Sequence, residues 1–307
     1  MKTVVVTGGA GFIGSHLVKG LIKQQYKVHV IDNLATGYQD RVHAEAELHV
    51  QDIRSSETWA TICQIKPDTV FHLAAQADVQ QSIKEPWLDM DTNVGGTLNM
   101  LGACRAASVR KFIFASTSAV YGNLQRDILH EDDPTSPLSF YGLSKLTAER
   151  YIDLYEQLFG LSYTILRFAN VYGPGQTAKG EGGVIAIFMN QLHQDLPLTI
   201  NGDGEQTRDF VYVQDVVQAL IKAAELKDSD TLHVSTALRT SVNRLVELLQ
   251  YCHGSHIPVI HRQHQSGDIQ HSCLSNTKTK ANLSWNPAYT IESGIAATYH
   301  YHRNQSI

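Results

Sequence analysis

The chain opens on an apolar run, Thr3–Thr7, and then repeats one theme: a short stretch of β-branched and aromatic residues followed by a longer amphipathic one. Short apolar runs read as strands buried on both faces, and stretches with apolar residues three and four apart read as helices. Strands are expected at Thr3–Thr7, Lys27–Ile31, Glu47–Val50, Thr69–Leu73, Lys111–Ala115 and Ser162–Arg167. Helices fill the gaps, with long ones near Trp87–Ala107 and Tyr141–Phe159. Such alternation implies an α/β fold with a parallel sheet covered on both faces. After Phe168 the rhythm loosens and Gly and Pro cluster at Gly173-Pro174-Gly175 and Gly180–Gly183. Helices are expected there at Gly183–His193, Val213–Glu225, Ser241–Cys252 and Ile291–Tyr301, with short strands Leu198–Ile200 and Leu232–Val234. This reads as a smaller mixed α/β domain over residues 170–307, following a larger one over 1–169, with part of 205–226 returning to the first.

The 307 residues are 43% apolar, enough for a sizeable core. Net charge is −5 and no block of like charge occurs, so neither nucleic acid nor an anionic membrane surface is an expected partner. There is no run long and apolar enough for a membrane span and no leader-like segment after Met1, so the cytoplasm is the expected location. The four cysteines, Cys63, Cys104, Cys252 and Cys273, form no C-x-x-C pair, which suits a reducing compartment. Fifteen histidines include the pairs His253/His256 and His261/His264. Neither pair sits in a clear helical repeat or beside a cysteine or carboxylate cluster, so no metal site is expected.

The first strand runs into Gly8, Gly11 and Gly14, in VVVTGGAGFIG, and a helix follows. Glycines there let the chain turn tightly and let backbone N–H groups approach a pyrophosphate at the helix N-terminus. The spacing alone is compatible with an ordinary strand–helix turn. Its context is more specific. The second strand ends in Asp32, twenty-one residues after Gly11, where a carboxylate can accept from ribose hydroxyls and repel a 2′-phosphate, favouring NAD over NADP. The third strand ends in Asp52-Ile53, placed for an adenine edge, and the fourth in the small Leu73-Ala74-Ala75. All of these fall at the carboxyl ends of strands, where such sheets bind ligands.

Tyr141 and Lys145 share one helix face in Tyr-Gly-Leu-Ser-Lys. A phenol with a pKa of about 10 is a poor base, and a neighbouring ammonium stabilises its phenolate. A half-buried tyrosine beside a surface lysine fits the same spacing. The fifth strand ends in Ser116-Thr117-Ser118, where a hydroxyl can share a proton with a substrate hydroxyl, or simply terminate the strand.

Taken together, TGGAGFIGSH at 7–16, DNLATG at 32–37, HLAAQ at 72–76, ASTSAVYG at 115–122, YGLSK at 141–145, RFANVYGPGQ at 167–176, GEGGVIAIF at 180–188 and GDGEQTRDFVYVQDV at 202–216 cover nearly the whole chain. In that order and spacing the sequence resembles the extended short-chain dehydrogenase/reductase family, and within it the UDP-glucose 4-epimerases. The resemblance implies a Rossmann-type doubly wound parallel sheet with a smaller C-terminal substrate domain. It implies catalytic Thr117, Tyr141 and Lys145. It implies NAD held by Gly8, Gly11, Phe12, Ile13, Gly14, Asp32, Asn33, Asp52, Ile53, Leu73, Ala74, Ala75, Gln76, Asn93, Tyr141, Lys145 and Phe168. It further implies a UDP-sugar held by Thr117, Tyr141, Asn170, Val184, Thr199, Asn201, Arg208, Asp268 and Ser272, and a homodimer formed through a four-helix bundle. The implied reaction is epimerisation at carbon 4 through a transient 4-keto sugar, with tightly bound NAD regenerated in each turnover.

Related dehydratases carry an Asp-Glu pair after the catalytic Thr, and decarboxylases a Glu two residues after it; here Ser118 and Ala119 stand there. Without those carboxylates, elimination lacks its acid and base. Where the family often has Arg-Pro-Gly-Asp, residues 265–268 read Gln-Ser-Gly-Asp, and Arg262 is the nearest replacement cation. Ser275 stands where relatives often carry Asp, and the small Ser272 aligns with a position that gates N-acetylated sugars. A 4-epimerase of a UDP-uronic acid, a 4,6-dehydratase and a non-catalytic NAD-binding sensor remain alternatives, although a sensor often lacks the Tyr or Lys.

Overall fold

The computed structural model describes residues 2–178, 182–263 and 270–304. In chain order the first half runs β1 (Thr3–Thr7), α1 (Phe12–Lys23), β2 (Lys27–Asp32), β3 (Glu47–Val50), α2 (Ser56–Ile65), β4 (Thr69–His72), α3 (Val79–Lys84), α4 (Pro86–Met90), α5 (Gly96–Ala106), β5 (Lys111–Thr117), α6 (Phe140–Phe159) and β6 (Ser162–Phe168). The second half runs β7 (Asn170–Tyr172), α7 (Val184–His193), β8 (Leu198–Asn201), β9 (Thr207–Arg208), β10 (Phe210–Tyr212), α8 (Val213–Ala223), β11 (Asp230–Val234), β12 (Thr240–Ser241), α9 (Val242–His253), β13 (Val259–Arg262), α10 (Thr277–Leu283) and α11 (Ile291–Asn304).

Seven parallel strands form one sheet in the order β11-β6-β5-β4-β1-β2-β3. The order reverses between β1 and β4, the switch point where doubly wound sheets open a crevice at the strand carboxyl ends. Helices α1 and α8 cover one face, and α2, α5 and α6 the other. Each face buries its own apolar cluster, with Val4, Val6, Leu17 and Leu220 in one and Val5, Val70, Phe112 and Ile152 in the other. A third cluster, built on Tyr172, Phe188, Leu198, Leu245, Leu249 and Ile295, holds the C-terminal elements together. No helix among the described residues is long and apolar enough to cross a membrane. All four cysteines are unpaired thiols.

Two features depart from the sequence expectation. Leu232–Val234 is not a strand of the smaller C-terminal part. As part of β11 it pairs with β6 and completes the large sheet, so the chain returns beyond 205–226. The long helix expected over Trp87–Ala107 is interrupted by a π-helical turn at Asp91–Gly95. An extra residue in the turn rotates the side chains that follow and brings Asn93 inward, where it is buried.

Candidate active site

The β1–α1 turn is shaped by backbone crowding. Gly8 sits at φ +71°, and a Cβ there would lie 2.8 Å from the Ala74 nitrogen. A Cβ on Gly14 would lie 2.1 Å from the Gly8 carbonyl oxygen. The α1 N-terminus therefore packs tightly on the turn, and its amides face a cavity of about 510 Å³. Gly8, Gly11, Phe12, Asp32, Asn33, Asp52, Ile53, Leu73, Ala74, Ala75 and Gln76 all line it. Asp32 is buried at the end of β2. Its carboxylate accepts from the Ala10 and Leu34 amides at 3.0 and 2.8 Å, which fixes it at the cavity rim. A glycine cradle under a helix N-terminus, with a fixed carboxylate one strand away, fits the pyrophosphate and ribose of NAD.

Asp52, at the end of the third strand with Ile53, lines this cavity as a carboxylate already engaged by its neighbours. Arg54 donates to both its oxygens at 2.7–2.9 Å and Asn33 Nδ2 donates at 3.0 Å. These hydrogen bonds, that of the Arg54 side chain foremost, hold the Asp52 carboxyl far below its usual range. Arg41, Gln51, Arg54 and Thr92 also line the cavity, and sequence reasoning missed them. Arg54 follows Asp52 by two residues, a visible signal. Arg41 lies on the long β2–β3 connection, where no periodic pattern points inward.

A second cavity of about 330 Å³ shares Phe12, Ala77 and Gln176 with the first, so the two adjoin there. Thr117, Tyr141, Phe168, Asn170, Arg208 and Ser272 line it, together with Ile13, Ser118, Ala119, Tyr172, Phe210 and His271. Among the described residues its lining contains no Asp and no Glu. Arg208 Nη1 donates to the Thr207 carbonyl at 2.9 Å, which orients the guanidinium at the wall. Tyr141 occupies the first turn of α6, whose N-cap is Ser139, with Oγ accepting from the Gly142 amide at 3.0 Å. Lys145 follows one turn later and is buried. Its Nζ donates to the Ala115 carbonyl at 2.9 Å and lies 4.7 Å from the Phe114 ring centroid.

Asn93 locks this helix to the cofactor side. Its Nδ2 donates to Ser144 Oγ at 3.0 Å and to the Gln76 carbonyl at 2.9 Å, and its Oδ1 accepts from the Gln76 amide at 2.8 Å. Beneath Thr117, Ser116 Oγ donates to Glu149 at 2.5 Å, and Arg167 makes a two-pronged pair with the same carboxylate at 3.0 and 2.7 Å. Arg167 also donates to the Tyr121 hydroxyl at 2.6 Å, which is 2.6 Å from His233 Nε2. Tyr141, Lys145 and Glu149 lie at i, i+4 and i+8, so the face reading that found the first two could have been extended to the third. On the cofactor side His72 bridges Thr7 and Thr97 at 2.8 and 3.1 Å. Burial, with the Lys145 charge adding to it, pushes its pKa down to about 3.

Val184, Thr199 and Asn201 lie outside the residues lining either cavity. Val184 packs on the third apolar cluster, and the Thr199 hydroxyl accepts from Gln191 at 3.1 Å. Gly14 is buried under the turn rather than in the lining. Asp268 and Gln265 lie outside the described residues, as does His264. Arg262 ends β13, exposed and away from both cavities. Ser275 is buried against the β11 side, its carbonyl 3.0 Å from His233 Nδ1.

The sequence profile described as the NAD dependent epimerase/dehydratase family matches residues 4–234. Over 99% of both chains, the sequence is 40% identical to a putative UDP-glucose 4-epimerase of Methanocaldococcus jannaschii. The structure superposes on a UDP-glucose 4-epimerase from Thermotoga maritima, solved with UDP-glucose, at TM-score 0.96 and 40% identity over 99% of each chain. It superposes on the Thermus thermophilus UDP-glucose 4-epimerase complexed with NAD at TM-score 0.93 and 37% identity, over 98% of this chain and 99% of that one.

Proposed function

The chain belongs to the NAD dependent epimerase/dehydratase family, and on that premise we propose that it is a 4-epimerase of a UDP-hexose, with UDP-glucose and UDP-galactose as its substrate pair. NAD is the cofactor, for which the glycine cradle and the Asp32 carboxylate are the holding groups. Bound there, it supplies a hydride acceptor and donor for one sugar carbon. The proton is the work of the chain's own residues. Tyr141 takes it from the sugar 4-hydroxyl and returns it, with Thr117 sharing the hydrogen bond. The Lys145 ammonium, one turn away, favours the phenolate. Arg208 and Asn170 hold the diphosphate, a role suited to a forked guanidinium. Anchoring at the diphosphate leaves the sugar free to turn over and present its other face.

One observation carries this reading over the dehydratase and decarboxylase alternatives: hydroxyls face the sugar cavity, and no carboxylate does among the described residues. With the hydride carried by NAD, oxidation and re-reduction at carbon 4 needs only the hydroxyls to move the proton; elimination of water or carbon dioxide needs a further acid or base. Ser272 in the same lining is small, which supports acceptance of UDP-GlcNAc and UDP-GalNAc as a second substrate pair. We also propose a cytoplasmic homodimer. Trp87, Met90, Leu143, Leu154 and Leu158 expose apolar side chains on the α4–α6 surface, as an interface would require.

The test is incubation of the purified protein with a panel of UDP-sugars and no added NAD, with products identified by NMR. Interconversion of UDP-glucose and UDP-galactose is expected. Tyr141→Phe should lower turnover by about 10²–10⁴-fold and keep its bound NAD. A wild-type protein that converts only uronic acids, or a Tyr141→Phe variant with full turnover, overturns the reading.

A further inference from the structure

At the edge of the sheet, strands β2 and β3 carry a second cluster of chemistry, outside the residues that line either cavity. Strands β2 and β3 pair in parallel with His29 beside Glu47 and Ile31 beside His49. Side chains alternate between faces with a period of two, so His29, Glu47 and His49 emerge on the same face of the sheet. Their donor atoms form a triangle. His29 Nδ1 lies 3.1 Å from His49 Nε2 and 3.3 Å from Glu47 Oε2, and His49 Nε2 lies 3.7 Å from Glu47 Oε1. A tetrahedral ion bound at the usual zinc distances to imidazole and carboxylate has donor–donor edges of about 3.3–3.6 Å. The observed separations, those to Glu47 being to its two different oxygens, fall on either side of that value.

The donor set suits a cation as well. Two imidazole nitrogens facing each other need a proton or a metal between them, since two lone pairs repel. Glu47 supplies the negative charge that a divalent ion requires. Burial grades across the site, from 5% exposed for the His29 side chain through 19% for His49 to 59% for Glu47. One ligand is thus anchored in the sheet, and the carboxylate side opens to water for a fourth position. Among the described residues this is the one group of three or more His, Cys, Asp or Glu whose ligand atoms converge in this way. It is not either of the pairs suggested by spacing, His253/His256 and His261/His264.

We propose that His29, Glu47 and His49 bind one divalent transition cation of the zinc class, completed by water. Two imidazoles and a carboxylate select zinc and its neighbours over magnesium and calcium, which prefer all-oxygen shells. The site is structural. His29 lies on β2 three residues before Asp32, and His49 lies on β3 shortly before Gln51 and Asp52, so a bound ion clasps the edge strand to its neighbour next to residues that line the cofactor cavity.

The NAD-loaded protein, dialysed against a chelator, is titrated with zinc chloride by calorimetry and its Tm recorded with and without zinc. One equivalent is expected to bind, with a rise in Tm, and magnesium or calcium should give neither. His49→Ala and Glu47→Gln alter partly exposed side chains, so both should fold with the zinc-free Tm and NAD content of the wild type. In each, zinc affinity should fall by at least about tenfold and the Tm rise should vanish. His253→Ala and His261→Ala should change neither. X-ray absorption at the zinc edge should report two imidazoles and oxygen. Stoichiometric zinc binding that survives His49→Ala, loss of binding on removing His253 or His261 instead, or no saturable binding by the wild type overturns the proposal.

Discussion

Replacing Gly14 by alanine adds one methyl group where the fold has least room. The new Cβ would sit 2.1 Å from the Gly8 carbonyl oxygen and 2.8 Å from the Gly9 Cα, and the oxygen contact falls about 0.9 Å short of the 3.0 Å that real Cβ contacts keep. Both neighbours are backbone, so relief must come from moving the turn or the helix. The Gly8 carbonyl accepts from the Gly11 amide at 3.1 Å, and the Gly8 amide donates to the Ile31 carbonyl at 2.9 Å, which ties the turn to β2. Helix α1 is fixed from the other side by α8, where Val217 and Ile221 crowd Gly20. Overpacking of this kind costs about 1–3 kcal/mol, and a loss near 2 kcal/mol lowers Tm by about 4–8 °C in a domain of this order of size. The effect on cofactor adds to this. Losing one charge-assisted amide–phosphate hydrogen bond costs about 1.5–3 kcal/mol, roughly 10–150-fold in affinity. The assay is NAD released per chain on heat denaturation, with Tm measured in parallel. Gly183→Ala is the control, because nothing lies within 4 Å of a Cβ there. Gly14→Ala should purify largely free of NAD while the control keeps it. A Gly14→Ala protein carrying a full complement of NAD at the wild-type Tm would refute the packing argument.

Three further outcomes are expected. Glu149→Gln leaves the buried Arg167 without its carboxylate and should cost about 3–5 kcal/mol, read as a lowered midpoint in urea; an unchanged midpoint would mean the pair contributes little. His72 and His233 are held by burial at pKa values of about 3 in the folded protein, against about 6.5 when unfolded. At these two sites the unfolded chain therefore takes up protons around and below pH 6.5 that the folded one does not, so their contribution to stability should be level well above pH 6.5 and fall as pH drops towards 3, by up to about 1.4 kcal/mol per pH unit for each histidine. Urea midpoints at pH 8, 7, 6 and 5 check this, and a midpoint that does not fall between pH 6 and 5 would contradict it. If the proposed homodimer forms through this surface, Leu154→Glu, which places a charge in the exposed apolar strip of α6, should shift the mass measured by light scattering from dimer to monomer with NAD retained; a wild type already at monomer mass would overturn that proposal.

Much of the fold was legible because its parallel strands are short apolar runs that announce themselves locally, and Thr3–Thr7 and Glu47–Val50 match the expected bounds to the residue. What escaped depends on pairing rather than pattern. Nothing within Asp230–Val234 says that it returns to β6, because that is decided by how α8 crosses over the sheet. The π turn at Asp91–Gly95 breaks a period that a regular helix reading assumes throughout, and Asn93 was reached only through family resemblance. The sugar cavity draws on strand ends, the α6 N-terminus and the segment around His271 and Ser272, whose convergence is tertiary. The Glu149–Arg167 pair comes from packing α6 on β6 and the His29–Glu47–His49 cluster from the β2–β3 register, with partners 18 and 20 residues apart in sequence.

The central claim is that the sugar cavity oxidises and re-reduces carbon 4 and has no base aimed at carbon 5. Epimerisation of UDP-glucose in D₂O, followed by NMR, tests this most directly. Product UDP-galactose should carry no deuterium on carbon, and substrate labelled with deuterium at carbon 4 should keep its label in ordinary water. Deuterium entering at carbon 5, or loss of the label from carbon 4 to solvent, would contradict the account.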